Sequence, residues 1–171
     1  MKKILLIIGL VSSVMIANAQ SPIGKDGKQL NMGVGITGHS VPVYFGLDFG
    51  VHRDITLGFE MSYRGYNDTY WDGHHHEDVH HNIIGLSGNF NYHFNSVLEI
   101  PQTFDFYAGF DLGYYVWTTN DKDYNGDGAS GLGLGLQIGG RYYFTKKVGL
   151  NLELGGPFFS AGGKFGVSFK L

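Results

Sequence analysis

The chain contains no cysteine among its 171 residues. A disulfide framework and a lipid attached to an N-terminal cysteine are therefore excluded. Lysine and arginine number 12 against 15 aspartates and glutamates, so no basic excess points to nucleic acid as a partner. Beyond the first residues, no apolar run approaches the length of a transmembrane helix. What the chain has in quantity is glycine, with 28 residues, and aromatic residues, at 15%, and both suit a β-barrel.

The first 19 residues have the pattern of a cleaved secretory signal peptide. Lys2 and Lys3 form its basic region, residues 4–16 are mostly apolar, and residues 17–19 read Ala-Asn-Ala, a small-x-small cleavage site. The apolar run is short for a spanning helix, which argues against an uncleaved anchor. We expect cleavage after Ala19, leaving one domain over residues 20–171. An exported chain with no helical span is either a soluble secreted domain or an outer-membrane barrel.

The stretch 104–117 shows the architecture most clearly. Its residues alternate strictly between an apolar and a more polar set, which predicts a β-strand because side chains on a strand alternate between its two faces. Fourteen residues is long for a soluble protein and suits a tilted membrane strand, which needs about 9–11 residues. The apolar set is Phe104, Phe106, Ala108, Phe110, Leu112, Tyr114 and Val116, and the other set is Asp105, Tyr107, Gly109, Asp111, Gly113, Tyr115 and Trp117.

The same alternation recurs in seven further segments, and nothing between them predicts a helix. Short connections make neighbouring strands antiparallel, and closure of the sheet removes edges that so apolar a sheet cannot leave open. The sequence therefore predicts an all-β fold, an eight-stranded antiparallel up-and-down transmembrane β-barrel. Its predicted strands are 30–37, 43–51, 55–64, 84–94, 104–117, 132–144, 148–155 and 165–171.

Connection lengths support a membrane orientation. If the N-terminus is periplasmic, the two longest predicted loops, 65–81 and 118–130, both face outward, as membrane barrels require. The connection 95–103 is longer than a periplasmic turn usually is. The alternative is a soluble lipocalin-like carrier with its apolar face inside, around a ligand. A barrel whose apolar face contacts lipid is the better interpretation, because that face carries essentially no charge. The polar face is rich in glycine and asparagine, and its charges suit a narrow lumen.

The chain resembles the small eight-stranded outer-membrane barrels of Gram-negative bacteria, the OmpA/OmpX-like family. The resemblance rests on the eight alternating segments, the loop order and the last strand, where Phe165, Val167, Phe169 and Leu171 alternate to the final residue. That ending is similar to the signal read by the barrel-assembly machinery, although the family more often ends in phenylalanine. The resemblance implies a bacterial outer-membrane location, contact with outer-membrane lipid and assembly by that machinery. It implies no single function, because many functions share this fold.

A histidine-rich segment lies in the predicted loop 65–81. Neutral imidazoles bind Zn²⁺, Ni²⁺ and Cu²⁺, with carboxylates as supplementary ligands. The simplest interpretation is a solvated polar loop, and the alternatives are adventitious metal binding or a metal-capturing role. No resident cofactor is expected beyond such an adventitious divalent metal. The candidate metal ligands are His74, His75, His76, His80 and His81.

The predicted loop 118–130 contains oxygen-bearing residues at alternate positions followed by glycine. This order is similar to the first half of an EF-hand calcium loop, but the twelfth position, where a bidentate glutamate belongs, is Leu132. An asparagine- and aspartate-rich turn is the default, with a weak surface calcium site as the alternative. The candidate ligands are Asp121, Asp123, Asn125 and Asp127.

No catalytic set emerges from the sequence. Ser87 and His93 share a face of one predicted strand but are six residues, or about 20 Å, apart. We therefore expect no catalytic residue and a non-enzymatic barrel. Its role is structural or is a surface interaction through the outward loops, for which an extracellular ligand is one candidate partner. The alternatives are metal capture, a small pore and the lipocalin-like carrier. Eight strands disfavour the pore because side chains fill so narrow an interior.

Overall fold

The computed structural model describes residues 20–38, 40–71, 76–119, 130–157 and 162–171. The expected signal peptide lies outside them. In the described part of the chain, no helix has the length and hydrophobicity needed to cross a membrane. The strands are β1 (Lys28–Ile36), β2 (Val43–His52), β3 (Ile55–Trp71), β4 (His76–His93), β5 (Phe104–Thr119), β6 (Gly131–Tyr143), β7 (Val148–Pro157) and β8 (Gly162–Lys170), and one short helix, α1 (Asn95–Leu98), precedes β5.

The eight strands form one closed barrel in which each strand pairs with its neighbours in the sequence. All pairs are antiparallel, and β1 closes the barrel against β8, with Leu30 opposite Phe169. Closure leaves the sheet without an open edge, so the backbone donors and acceptors within it find partners in adjacent strands. The predicted eight-stranded up-and-down barrel is confirmed.

The apolar side chains of the strands point out of the barrel and the polar ones point into it. Leu134 and Leu136 on β6 are exposed, whereas Asp48 on β2 and Asp105 on β5 are almost completely buried. An exterior of this kind is stable only in lipid, because water penalises so large an exposed apolar surface. The predicted assignment of faces is therefore confirmed, and the lipocalin-like alternative is wrong because the interior is polar.

The barrel wall is much taller on one side. At about 3.3 Å per residue and a tilt of about 40°, the 17 residues of β3 rise about 43 Å along the barrel axis, against about 23 Å for the nine residues of β1. The apolar band of such barrels is about 25 Å tall. The strands β3, β4 and β5 therefore continue well beyond the membrane on the side opposite the short connections.

Two predicted connections differ from the structure. The segment 65–81 is predicted as a long loop, but β3 extends to Trp71 and β4 begins at His76, in register from Gly65 opposite Asn82 to the hairpin end. The strands were not predicted here because the outward residues of this segment, such as Asn67 and His80, are polar, and the apolar residues lie on the inward face instead. The periplasmic connection 95–103 contains α1, which explains its unusual length.

One glycine shows how the narrow interior is filled. Gly139 on β6 faces the lumen opposite Tyr107 on β5. A Cβ at this position would overlap the Tyr107 ring. The absent side chain makes room for a fully buried aromatic ring.

Candidate functional site

The apolar belt ends at the same height on the three tall strands. Its uppermost outward residues, Tyr63 on β3, Ile84 on β4 and Val116 on β5, are direct register partners. The Tyr63 hydroxyl donates a 2.8 Å hydrogen bond to the Asn82 side chain just above them. A tyrosine with an apolar ring and a polar tip is typical of the boundary between lipid and headgroups. We call the part of β3, β4 and β5 above this boundary the outer extension.

The two faces of the sheet exchange character in the outer extension. The outward residues next above the boundary are polar or small, and Asn67, His80 and Thr118 are exposed. Most described inward residues there are apolar or aromatic, with Val79 3% and Ile83 9% exposed, while Arg64 and Thr119 are the polar residues of the same face. Water on the outside and a packed interior require this arrangement, as in a soluble β-protein. The outer extension is therefore built for water.

Three rings pack together inside the outer extension, and we call them the mouth stack. The imidazole of His81 lies between Tyr66 and Trp117, with ring centroids 4.8 and 4.9 Å away. The indole Nε1 of Trp117 donates to the Tyr66 hydroxyl at 3.4 Å, and the Arg64 guanidinium lies 5.6 Å from the Tyr66 ring centre. His81 is 1% exposed. The mouth stack lies in the lumen of the outer extension, and sequence reasoning did not identify it.

The predicted metal-binding histidines are only partly within the described residues. His74 and His75 lie outside them, and His76 is described as the first backbone position of β4. His80 and His81 are consecutive on a strand, so His80 points outward into water and His81 points into the mouth stack. The described part of the chain contains no cluster of three or more potential metal ligands. The five-histidine site stays a prediction, as does the calcium site of Asp121, Asp123, Asn125 and Asp127, which lies entirely outside the described residues.

Near the periplasmic end, the lumen holds a fully enclosed group of charges, which we call the lower cluster. Arg141 bridges Asp48 at 2.7 Å and Asp105 at 3.1 Å. Asp105 Oδ1 also forms a hydrogen bond with His93 Nδ1 at 2.7 Å. The ion-paired side chains of this cluster are between 0 and 3% exposed. Each carboxylate has a cationic or hydrogen-bonding partner, which a charge needs when water is excluded.

A second group, the upper cluster, lies nearer the middle of the barrel. The Lys164 ammonium bridges Glu60 and Glu153, each at 2.8 Å, and the Tyr107 hydroxyl donates to Glu153 at 2.9 Å. The three charged side chains are 14 to 17% exposed. A cavity of about 20 Å³ lies between the two clusters, enough for about one water molecule. Over the described residues, the lumen is filled rather than open.

The lower cluster also contains an alignment that sequence reasoning missed. The Thr56 hydroxyl lies 3.0 Å from His93 Nε2, and His93 Nδ1 lies 2.7 Å from Asp105. Hydroxyl, imidazole and carboxylate in this order are the components of a nucleophile activated by a general base. All three residues are at most 1% exposed, and no described cavity reaches the hydroxyl. The arrangement gives a buried carboxylate a hydrogen-bond partner and offers no substrate access. Only the register reveals it, because the three residues belong to three different strands.

Several solved structures of outer-membrane barrels are similar to the chain, whereas no protein-family model and no curated protein sequence matches it. The chain is similar to OprG of Pseudomonas aeruginosa, with a TM-score of 0.62, 9% identity and coverage of 88% of this chain and 99% of that one. It is also similar to the N-terminal barrel domain of OprF of Pseudomonas aeruginosa (TM-score 0.54, 18% identity, 86% and 99% covered). A third similar structure is Ail of Yersinia pestis in a phospholipid bilayer nanodisc (TM-score 0.55, 8% identity, 86% and 100% covered).

These likenesses cover nearly the whole of each neighbour at low identity, so they concern the fold. They agree with what the residues show independently: a closed eight-stranded barrel, an apolar belt that requires lipid and a polar filled lumen. The chain has the fold of the small eight-stranded β-barrels of the bacterial outer membrane.

Proposed function

We propose that this chain is a non-enzymatic outer-membrane protein that acts as a surface-interaction module through its outer extension. The observation that carries the proposal is the exchange of faces above Tyr63, Ile84 and Val116. A barrel that only spans the membrane needs no strands beyond the belt. This chain instead continues three strands into water and packs an aromatic core inside them.

The interior supports the same role over the alternatives. The lower cluster, the upper cluster and the mouth stack fill the lumen at three successive heights, which opposes a pore in the described part of the barrel. The Thr56 hydroxyl is enclosed, which opposes an enzyme working through the one aligned triad of the described lumen. Among the described strands, those that extend furthest beyond the belt form the outer extension, which is therefore the surface most available to a partner outside the cell.

The first experiment establishes the location on which the proposal depends. Cells that express the full chain are fractionated, and the membrane fraction is run on a denaturing gel with and without boiling. We expect recovery in the outer membrane and a band whose mobility changes on heating, as a stable barrel resists unfolding until boiled. Recovery in the soluble periplasm would contradict the proposal.

The second experiment removes the outer extension without touching the belt. Since Gly65 and Asn82 are register partners, residues 66–81 are replaced by Asn-Gly, which favours a two-residue hairpin turn. Outer-membrane vesicles carrying either chain are tested for binding to immobilised glycoproteins, to polysaccharide and to vesicles of the same kind. We expect the shortened barrel to keep its heat-dependent mobility and to lose binding.

A matched variant keeps the extension and changes its outward chemistry. In it, Asn67, His80 and Thr118 are replaced by serine, so the hairpin length and the mouth stack are unchanged. If the surface acts through these side chains, binding falls in this variant too. If the full chain binds none of the probes, or binds them as well as the shortened chain does, the interaction role is wrong and a purely structural role in the membrane remains.

A further inference from the structure

The outer face of the barrel carries a groove of about 670 Å³ at its periplasmic half, across β5, β6 and β7. Its volume falls in the range of about 300–1,000 Å³ that is typical of small-molecule sites. Its lining includes Ala108 on β5 and Gly140 on β6, the two smallest outward residues in this sector, and the Phe106 ring borders the Gly140 position. Phe106 on β5 and Leu152 on β7 are the register neighbours of Gly140 on either side. A missing side chain between large ones therefore creates the groove.

Aromatic and aliphatic side chains form the walls of the groove. Phe104 and Tyr142 stand at its periplasmic end, with ring centroids 5.1 Å apart. Leu154 and Phe165 line the other end, toward the middle of the membrane. The groove opens only to the exterior of the belt, because the wall behind it carries the inward Tyr107 and Arg141. The material that surrounds it is the lipid of the periplasmic leaflet.

Two exposed lysines lie directly below this groove. Lys146 and Lys147 form the turn between β6 and β7, which is closed by the hydrogen bond from the Thr145 backbone N–H to the Val148 carbonyl at 3.2 Å. Lys146 follows the groove residue Tyr142 by four positions, and Lys147 precedes Leu150 by three. At about 3.3 Å per residue the lysine backbones lie roughly 10–13 Å from these residues along the strands, and their long side chains shorten that distance.

We infer that this groove is a binding site for one glycerophospholipid with an anionic headgroup. An acyl chain lies over Ala108 and Gly140 between the aromatic and aliphatic walls. The glycerol region lies at the height of Tyr142, whose phenol is placed as interfacial aromatic residues are. The phosphate and headgroup contact Lys146 and Lys147. Basic residues beside a membrane attract anionic headgroups, and the groove adds a contact that fixes the position of one chain.

The observations favour a lipid over a second copy of the chain. A single narrow groove bordered by bulky side chains accepts a flexible chain, while a barrel wall presents a broad convex surface. The lysines also point to a negatively charged partner, and a second copy in the same orientation would present its own Lys146 and Lys147 at the same membrane depth. Like charges at that distance repel each other.

The test measures retained lipid by native mass spectrometry of the full mature chain in a mild non-ionic detergent. Dioleoylphosphatidylglycerol and dioleoylphosphatidylcholine are added as competing probes that differ only in headgroup. We expect one retained lipid and a preference for phosphatidylglycerol of about 30-fold, the effect of two lysines near a membrane surface. Lys146→Gln with Lys147→Gln should remove this preference. The matched pair Lys25→Gln with Lys28→Gln, which alters two exposed lysines near β1 and β2, should keep it.

The groove itself is tested by filling it. Gly140→Leu should abolish retention, because the new side chain projects into the groove; a Cβ there would lie 3.4 Å from the Phe106 ring, a flexible outward side chain that can shift to admit the leucine. Gly88→Leu is the control, because Gly88 is an outward glycine between Phe59 and Leu112, away from the groove. A Cβ added at Gly88 would lie 3.7 Å from its nearest neighbour, so this site has room as well. Heat-dependent gel mobility verifies that each variant forms a barrel.

Four outcomes would overturn the inference. These are no retained lipid, equal retention of the two headgroups, equal loss in the Gly140→Leu and Gly88→Leu variants, and a protein dimer that disappears only in Gly140→Leu. The result is independent of the proposed surface role, because the groove and the outer extension lie at opposite ends of the barrel.

Discussion

The same three strands follow opposite rules on the two sides of one boundary. Below Tyr63, Ile84 and Val116, the exterior of β3, β4 and β5 is apolar and their interior is polar. Above it, Asn67 and Thr118 face outward and the interior holds the mouth stack. The backbone pairing continues through the boundary without a change of register. The surrounding medium, lipid or water, therefore determines which face is apolar, while the backbone hydrogen bonds between the strands are the same in both media.

This difference also determines which side chains have fixed partners. In the belt, exterior side chains contact lipid, and any apolar residue of similar size suits the position. Interior side chains of the belt have partners at defined distances, such as Arg141 with its two carboxylates. The outer extension reverses this, with a packed core inside and tolerant polar positions outside. Substitutions in each of these four environments should therefore differ in their effect on stability.

The largest loss is expected from Arg141→Met in the belt interior. The substitution leaves Asp48 and Asp105 buried without their cation, and breaking a buried ion pair by removing one partner costs about 3–5 kcal/mol. The free energy of unfolding is measured by urea titration in lipid vesicles, with gel mobility as the readout. The control is Arg64→Met. Arg64 is half-buried and donates one hydrogen bond, to Thr37 Oγ1 at 2.9 Å, so its loss should cost only about 1 kcal/mol. Equal losses in the two variants would show that the lower cluster contributes no special stability.

The next effect compares two outward positions on one strand. Leu112→Arg introduces a charge into the lipid-facing belt, which costs about 2–4 kcal/mol at the bilayer midplane. Thr118→Arg introduces the same charge above the boundary, where water surrounds it, and should change the free energy of unfolding by less than about 0.5 kcal/mol. Both are measured by the same vesicle titration. A similar cost at the two positions would place the boundary above Thr118 and contradict the outer extension.

The alternation of side chains predicted most of this fold. The belt segments of all eight strands, the antiparallel order and the lipid-facing side follow from period-two patterns, because one-sided burial imposes that period. The strand ends above the boundary were missed for the same reason. In the stretch from Val79 to Ile84 the apolar residues move from the inward odd positions, Val79 and Ile83, to the outward even position Ile84. A strand predicted from apolar residues on its outward face therefore ends at the boundary, because above it the outward residues are polar.

The candidate site was less accessible to sequence reasoning. The alternation places charges on the lumen face, but their partners depend on register and on contacts across the barrel: Arg141 and Asp105 are neighbours on β6 and β5, while Asp48 reaches Arg141 from β2. The histidine run indicated metal binding by composition alone. It did not reveal that His81 points into an aromatic core while His80 points outward, because a run of identical residues hides the alternation.

A smaller effect is expected in the core of the outer extension. Trp117→Ala removes one ring of the mouth stack, and a ring contact contributes about 0.5–1.5 kcal/mol beyond its buried area. The belt below is unchanged, so the opening should be local. We expect faster amide hydrogen exchange in the upper parts of β3, β4 and β5, with heat-dependent mobility retained. Thr118→Ser, at the outward neighbour, is the control: it keeps the hydroxyl that donates to the Asn82 carbonyl at 3.4 Å and should leave exchange unchanged. Loss of the barrel itself would mean that the mouth stack supports the whole fold.

The smallest change in the free energy of unfolding is expected when the predicted metal-binding histidines are replaced. Of the five predicted ligands, His81 is enclosed by Tyr66 and Trp117, so replacing all five together would disturb the mouth stack and confuse two effects. The informative variant replaces His74, His75, His76 and His80 by asparagine and leaves His81 in place. If the full chain binds Zn²⁺, this variant should lose that binding in a calorimetric titration, since neutral imidazoles are the ligands that Zn²⁺ prefers among these residues; no binding by the full chain would leave the segment a solvated polar loop.

The same four substitutions should change the free energy of unfolding by less than about 0.5 kcal/mol, because the exposed His80 faces water. His81→Asn alone is the complementary variant. It should keep Zn²⁺ binding while loosening the outer extension, as Trp117→Ala does. If His81→Asn abolishes binding and the fourfold variant retains it, the metal lies inside the barrel mouth, and the division between an outward polar face and a packed interior does not hold there. If the two variants behave as expected, the histidines outside the mouth stack hold the metal, and the packed interior around His81 does not.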